Sequence, residues 1–193
     1  MSSAGPRLTR GEFLAAFTGV FALAGGAAAS PQAGGQGQSE DVTEKLRFPR
    51  AIVLVRHAEK AAEGGTDPAL SPVGVQRAER LAQMLAASGV THLFATEFIR
   101  TRTTLEPLAK LAQRPVSEVS ARDPKALLSA LESLPRGALA VVAGHSNTVP
   151  ALVERLSGGR AKPTLDESEY DRLFLVVQWG TERGEQLALE LRY

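Results

Sequence analysis

Two short apolar runs, far apart in the chain, each stop at a histidine. Residues 52–55 lead into Arg56-His57-Ala58-Glu59, and residues 139–143 lead into Gly144-His145-Ser146-Asn147-Thr148. Each run has the length of a buried strand, and an open α/β sheet places its ligand site at strand ends. Arginine beside two imidazoles suits a phosphoryl group. A neutral imidazole can attack phosphorus, and a guanidinium can hold two of its oxygens at once. Ser146 and Asn147 offer further donors, and Glu59 is close enough in sequence to reach a substrate. A third segment strengthens the reading. Thr96-Glu97-Phe98-Ile99-Arg100-Thr101 puts Arg100 in the first turn of a helix, where a cation is disfavoured unless an anion lies between it and the helix amides. Arg102 reads as a solvated surface residue.

The elements that must carry these residues follow from hydrophobic spacing and from cap and breaker residues. Strands are expected over 51–55, 92–95, 116–119, 138–143, 173–178 and 186–191. The last two form a hairpin through a turn at 181–185. Ser71-Pro72 reads as an N-cap followed by proline at the first helical position, opening a helix to about residue 88 with Ala78, Leu81, Ala82 and Leu85 inward and Gly89 as its stop. A second helix spans 97–113, with Leu105, Leu108 and Leu111 inward and Pro107 as a bend or break. Asp123-Pro124 opens a third in the manner of Ser71-Pro72, ending near Leu134-Pro135, and a fourth spans 148–156. This alternation predicts an α/β fold: a three-layer α/β/α arrangement with a mostly parallel sheet and a C-terminal hairpin.

Composition narrows the function classes. The chain has 193 residues and a formal net charge of +1, which argues against a nucleic-acid partner. It has no cysteine, so disulfides, thiolate catalysis and cysteine-ligated metals are excluded. No H-x-H or H-x-x-x-H pair suggests a metal site, and no cofactor is implied. His92 reads as a packed histidine, and Trp179 as cover for a late strand.

The first thirty residues stand apart. Arg7 and Arg10 precede an apolar stretch over 13–23, followed by Gly25-Gly26 and Ala27-Ala28-Ala29-Ser30. Positive charge, a short apolar centre and a small-residue exit read as a secretory signal over 1–29, too short and glycine-rich for a good membrane span. The segment around Thr9-Arg10-Gly11-Glu12 looks like a twin-arginine signal with one arginine replaced by glycine. A Gly-, Gln- and Ser-rich leader is expected over 30–46, and the folded domain over 47–193. Cleavage after Ala29 leaves equal numbers of basic and acidic residues, so any attraction for anions must be local. The expected destination is the periplasm or the exterior, with no stable membrane span after cleavage.

Taken in order, the motifs resemble the histidine phosphatase superfamily, also called phosphoglycerate mutase-like, and within it the small bacterial phosphatases. Its opening Arg-His-Gly at a strand end is similar to Arg56-His57-Ala58. Its second signature, a small residue followed by arginine and by threonine four residues later, is similar to Thr96, Arg100 and Thr104. Its strand-ending Gly-His is similar to Gly144-His145, and the stretch from Tyr170 to Val177 also looks familial. The resemblance implies that His57 is a nucleophile forming a phosphohistidine, and that Arg56, Arg100 and His145 hold the phosphoryl oxygens. It leaves the general acid open. The acid phosphatase branch carries a carboxylate after the second histidine, where this chain has Ser146. The mutase-like branch places an acid after the arginine helix, where Glu118 and Asp123 stand, with Glu59 and Asp67 nearer the first motif. Asp123 reads equally well as an N-cap. Weak acid assistance suits substrates with good leaving groups, such as phosphoramidates and aryl or acyl phosphates. The expectation is a metal-independent phosphatase acting on small phosphomonoesters or phosphoramidates. The alternative is a non-catalytic phosphate- or phosphopeptide-binding module on the same fold.

Overall fold

The computed structural model of the protein describes residues 48–179 and 186–193. The expected export signal, the leader and the hairpin turn at 181–185 lie outside the described residues. The elements run β1 (Arg50–Arg56), α1 (Pro72–Leu85), β2 (His92–Ala95), α2 (Ile99–Ala112), β3 (Val116–Glu118), α3 (Pro124–Glu132), β4 (Leu139–Gly144), α4 (Thr148–Leu156), β5 (Arg172–Gln178) and β6 (Gln186–Arg192). The six strands form one mixed sheet in the order β3-β2-β4-β1-β5-β6. β3, β2, β4 and β1 run parallel, while β5 is antiparallel to both β1 and β6. The expected hairpin is therefore present as a strand pair.

Successive strand side chains point to opposite faces, and this period of two divides the interior into two cores. Ile52, Leu54, Val142 and Phe174 pack with Leu127 and Leu131 of α3 and with Val149, Leu152 and Val153 of α4. Val53, Val55, Val141 and Leu173 pack with Leu81 and Ala82 of α1 and Leu105 and Leu108 of α2. The central strands read as unbroken apolar runs because both of their faces are covered.

The helix starts are where cap chemistry puts them. Ser71 Oγ accepts from the Gly74 amide at 3.1 Å, and Asp123 Oδ1 accepts from the Ala126 amide at 3.0 Å, each with proline as the next residue. Three expectations need correction. Leu111 is exposed rather than inward: it lies off the edge of the face that α2 buries through Leu105 and Leu108, and Ala112 of the same turn packs on the core instead. α1 ends at Leu85, and Gly89 (φ +78°) belongs to the turn that follows rather than to the helix stop itself. Helix α2 starts at Ile99, two residues later than expected, and continues through Pro107 without a break.

One glycine is required by close approach. A Cβ on Gly74 would lie 2.2 Å from the Glu59 carbonyl oxygen and 3.0 Å from the Glu59 carbonyl carbon and nitrogen. Helix α1 therefore packs directly on the backbone two residues past His57, and the same carbonyl accepts from the Ser71 amide at 2.8 Å. Gly74→Ala should destabilise the protein by roughly 1–3 kcal/mol, as overpacking in a close-packed interior does. Chemical denaturation should show a lower midpoint at unchanged slope; a midpoint equal to wild type would contradict the close contact.

Candidate active site

Three strand ends meet at one level. Arg56 pairs with Gly144 across the β1–β4 register, and Ala95 pairs with Ala143 across β2–β4. The next residues are His57, His145 and Thr96. The His57 amide donates to the Gly144 carbonyl at 2.9 Å, which locks the two histidine positions side by side. Their rings meet edge to face with centroids 5.5 Å apart. Since β1 is followed by a helix on one face of the sheet and β4 by a helix on the other, the crevice between them is a topological switch point, where α/β sheets bind ligands. A cleft of about 480 Å³ opens there, lined by Arg56, His57, Arg100, His145, Ser146 and Asn147, with Lys60, Phe98 and Glu167 at its margin. A larger cleft of about 770 Å³ lies at the other end of β1, near Arg50, Glu154 and Gln178, and no histidine lines it.

His57 is buried, and its Nδ1 lies 2.7 Å from the Ala58 carbonyl oxygen. A carbonyl only accepts, so Nδ1 carries the proton, and the neutral ring presents a bare Nε2 lone pair. Burial pushes its pKa down to about 4. The Ala58 hydrogen bond opposes the shift, while Arg56, His145 and Arg100 add to it. His145 is likewise lowered to about 4, first by burial and then by Arg100, with Glu97 opposing. Its Nε2 lies 3.0 Å from Thr96 Oγ1, which lies 2.8 Å from Thr101 Oγ1. Thr101 Oγ1 gives its single proton to a carbonyl, that of Phe98 at 2.8 Å or of Thr96 at 3.0 Å, so it accepts from Thr96, and Thr96 Oγ1 accepts from His145 Nε2–H, which leaves Nδ1 of the neutral ring bare.

The threonines fix the rest. Thr104 Oγ1, fully buried, accepts from the Ala58 amide at 2.9 Å and donates to the Arg100 carbonyl at 2.7 Å. One hydroxyl thus ties the backbone after the first histidine to the arginine turn. Arg100 lies over the Phe98 ring at 4.3 Å and 3.4 Å from Asp67. Asp67 also accepts from the Ile99 amide at 3.0 Å, capping a helix whose own N-cap residue, Phe98, cannot. Arg56 is 2% exposed. Its Nη1 donates to the carbonyls of Asp166 (3.0 Å) and Glu169 (3.3 Å), and its guanidinium stacks on Tyr170 at 4.1 Å. Its Nη2 meets Glu167 Oε2 at 2.9 Å.

Several sequence candidates fall elsewhere. Glu59 does not line the cleft: both of its carboxylate oxygens are held by Arg77, the closest contact being 2.7 Å, which pulls the side chain toward α1. Asp123 is the N-cap of α3, and Glu118 is exposed and paired with Arg102 at 3.1 Å, so neither candidate acid reaches the cleft. Arg102 is in that pair rather than simply solvated. His92 stacks on Phe94, its Nδ1 2.8 Å from Thr91 Oγ1.

The model of the histidine phosphatase superfamily (branch 1) matches residues 52–121, the span that holds Arg56-His57 and the arginine turn. Over that span the chain is similar to the histidine phosphatase superfamily. Among solved structures it is similar to a protein histidine phosphatase, SixA, in complex with tungstate, at 19% identity and TM-score 0.59, covering 74% of this chain and 96% of the other. It is also similar to a SixA-type protein from Nakamurella multipartitia, at 20% identity and TM-score 0.57, covering 75% and 96%. A mycobacterial glucosyl-3-phosphoglycerate phosphatase matches at 12% identity and TM-score 0.58, covering 75% and 98%. At these identities the likeness is one of fold. No curated protein matches the chain significantly.

Of the residues that line the cleft, sequence reasoning missed Lys60, Phe98 and Glu167. Lys60 and Phe98 sit within three residues of motif positions and were open to discovery. Glu167 lies in a segment without periodicity, and nothing in its neighbourhood pointed to the cleft.

The lowered values make a direct prediction. Imidazole NMR signals of His57 and His145 should titrate as a coupled pair with apparent pKa values near 4, rather than near 6.5. Between those limits the unfolded chain binds protons that the fold refuses, so these groups should lower stability as pH falls from 6.5 toward 4. Titration of both rings near 6.5 would contradict the buried, cation-flanked geometry.

Proposed function

We propose that the protein is a phosphatase that transfers a phosphoryl group to His57 and then to water. The observation that carries this reading is the bare Nε2 of a neutral His57 in a cleft that also holds Arg56, Arg100 and His145. In the first step the Nε2 lone pair attacks phosphorus in line. The N–P bond forms, the bond to the leaving oxygen or nitrogen breaks, and its electron pair departs with the leaving group. In the second step water attacks phosphorus, the N–P bond breaks, and phosphate leaves with His57 neutral again. Arg56 and Arg100 supply fixed positive charge and donors to the phosphoryl oxygens, which carry the charge of a loose transition state, and that negative charge draws a proton onto His145 Nδ1, making it a further donor. The amides opening α4 and the Ser146 hydroxyl add donors at a helix N-terminus.

Because Asp123 and Glu118 lie away from the cleft, and the Ser146 hydroxyl and Arg56 hold the Glu167 carboxyl below the usual range and so ionised, the reading favours small substrates whose leaving group needs little protonation: phosphoramidates, aryl phosphates and acyl phosphates. The SixA-like neighbours are described as phosphohistidine phosphatases, which agrees with that class. The charge that a metal would provide comes from the arginines, so the proposed reaction is metal-independent. We also propose that residues 1–29 direct export, with a mature N-terminus near Ser30, which N-terminal sequencing of secreted protein would test.

The full chain should hydrolyse an aryl phosphate, and turnover should survive EDTA. His57→Ala should abolish turnover while phosphate binding is partly retained. His145→Ala should slow turnover by about 10²–10³-fold, the effect of losing one transition-state donor. A phosphoryl group trapped by alkaline quench on a residue other than His57, or full activity in His57→Ala, would refute the mechanism. Phosphate binding without any turnover would favour the binding-module reading.

A further inference from the structure

The segment between α4 and β5 sends a carboxylate into the phosphoryl cleft. Glu167 Oε2 accepts from Arg56 Nη2 at 2.9 Å, and Glu167 Oε1 accepts from the Ser146 hydroxyl. These are two of the donors assigned above to phosphoryl oxygens. The pairing is asymmetric: the guanidinium is 2% exposed and the carboxylate 75% exposed. Arg56 cannot move away, since its Nη1 is tied to the Asp166 and Glu169 carbonyls and its face to Tyr170. Glu167 can. The turn that carries it is built by other contacts: Asp166 Oδ1 accepts from the Ser168 amide (2.9 Å) and hydroxyl (2.6 Å), and the Glu169 amide donates to the Asp166 carbonyl at 3.1 Å. A side-chain rotation of Glu167 frees Arg56 Nη2 without unfolding the turn.

We infer that Glu167 is a built-in competitor of the phosphoryl group: its carboxylate holds the Arg56 and Ser146 donors until an incoming oxyanion displaces it. The Ser146 hydroxyl has one proton to give, and the second Nη2 proton of Arg56 faces Tyr170 Oη at 3.4 Å, so a phosphoryl ligand that takes these donors binds against this carboxylate. The inference rests on the phosphatase reading and adds to it a residue that sets oxyanion affinity. It makes the enzyme bind inorganic phosphate, its own product, more weakly than the cluster of Arg56, Lys60 and Arg100 would on its own. Glu167 is a positioning residue in this scheme, and it takes no part in bond making.

The test is calorimetric titration of inorganic phosphate into the full chain, which needs no turnover, alongside KM and kcat for an aryl phosphate. Glu167→Gln removes the charge and keeps a polar side chain; Glu167→Ala removes both. Each should tighten phosphate by about tenfold, the gain expected when a site competent one-tenth of the time becomes always competent. KM should fall with it, and kcat should change far less. Glu169→Gln is the control, because Glu169 supports the same turn through Arg172 and the Asp166 amide without entering the cleft. It should leave phosphate affinity as in wild type. Glu167 variants that fold but bind phosphate no more tightly than wild type would overturn the inference. So would Glu169→Gln tightening it equally, because the turn and not the carboxylate would then be responsible. If neither wild type nor any variant binds phosphate, the phosphatase reading itself fails, and this inference with it.

Discussion

The site depends on one backbone hydrogen bond and the register that it ends. When the His57 amide meets the Gly144 carbonyl, β1 and β4 stop at the same level, and the residues that follow have nowhere to go but the same crevice. A slip of one residue would turn every side chain of β1 to the other face and move Arg56 out of the cleft. The two cores on opposite faces of the sheet resist such a slip, because Ile52 and Leu54 belong to one and Val53 and Val55 to the other. Packing therefore sets the geometry of the chemistry at a distance of several residues.

Burial then decides the chemical state of the imidazoles. A histidine out of water and beside two guanidiniums is neutral, and a neutral imidazole has a lone pair to attack with. The tautomer needs a further constraint, which the Ala58 carbonyl supplies to His57 and the Thr96–Thr101 pair to His145. Threonines rather than charges do this orienting. Thr104 does the same for the backbone, since a buried hydroxyl that both accepts and donates leaves no polar group unpaired.

The cationic groups are each restrained by a different partner. Arg100 has Asp67 and Phe98, and Arg56 has Tyr170, two carbonyls and Glu167. Fixed donors stabilise a transition state because they do not have to reorganise when charge develops. Two of the carboxylates that restrain them, Asp67 and Glu167, come from loops whose sequences carry no period.

The strands were legible along the chain, because fully covered parallel strands must be continuous apolar runs, and so were the helix starts, because Ser71-Pro72 and Asp123-Pro124 satisfy terminal amides locally. The members of the cleft were legible too, since Arg56, His57, Arg100 and His145 all follow or end a strand. Acids were a different matter. Glu59, Glu118 and Asp123 were legible as carboxylates near motifs, but a carboxylate goes to whichever partner folding brings closest: Arg77, Arg102 and the amides of α3 claimed them. Leu111 showed the same limit for packing, since helical spacing gives a face but not where its edge falls. Glu167 was visible only in three dimensions. Its place is set by Arg56 reaching 111 residues along the chain, and contacts of that separation leave no local pattern to read.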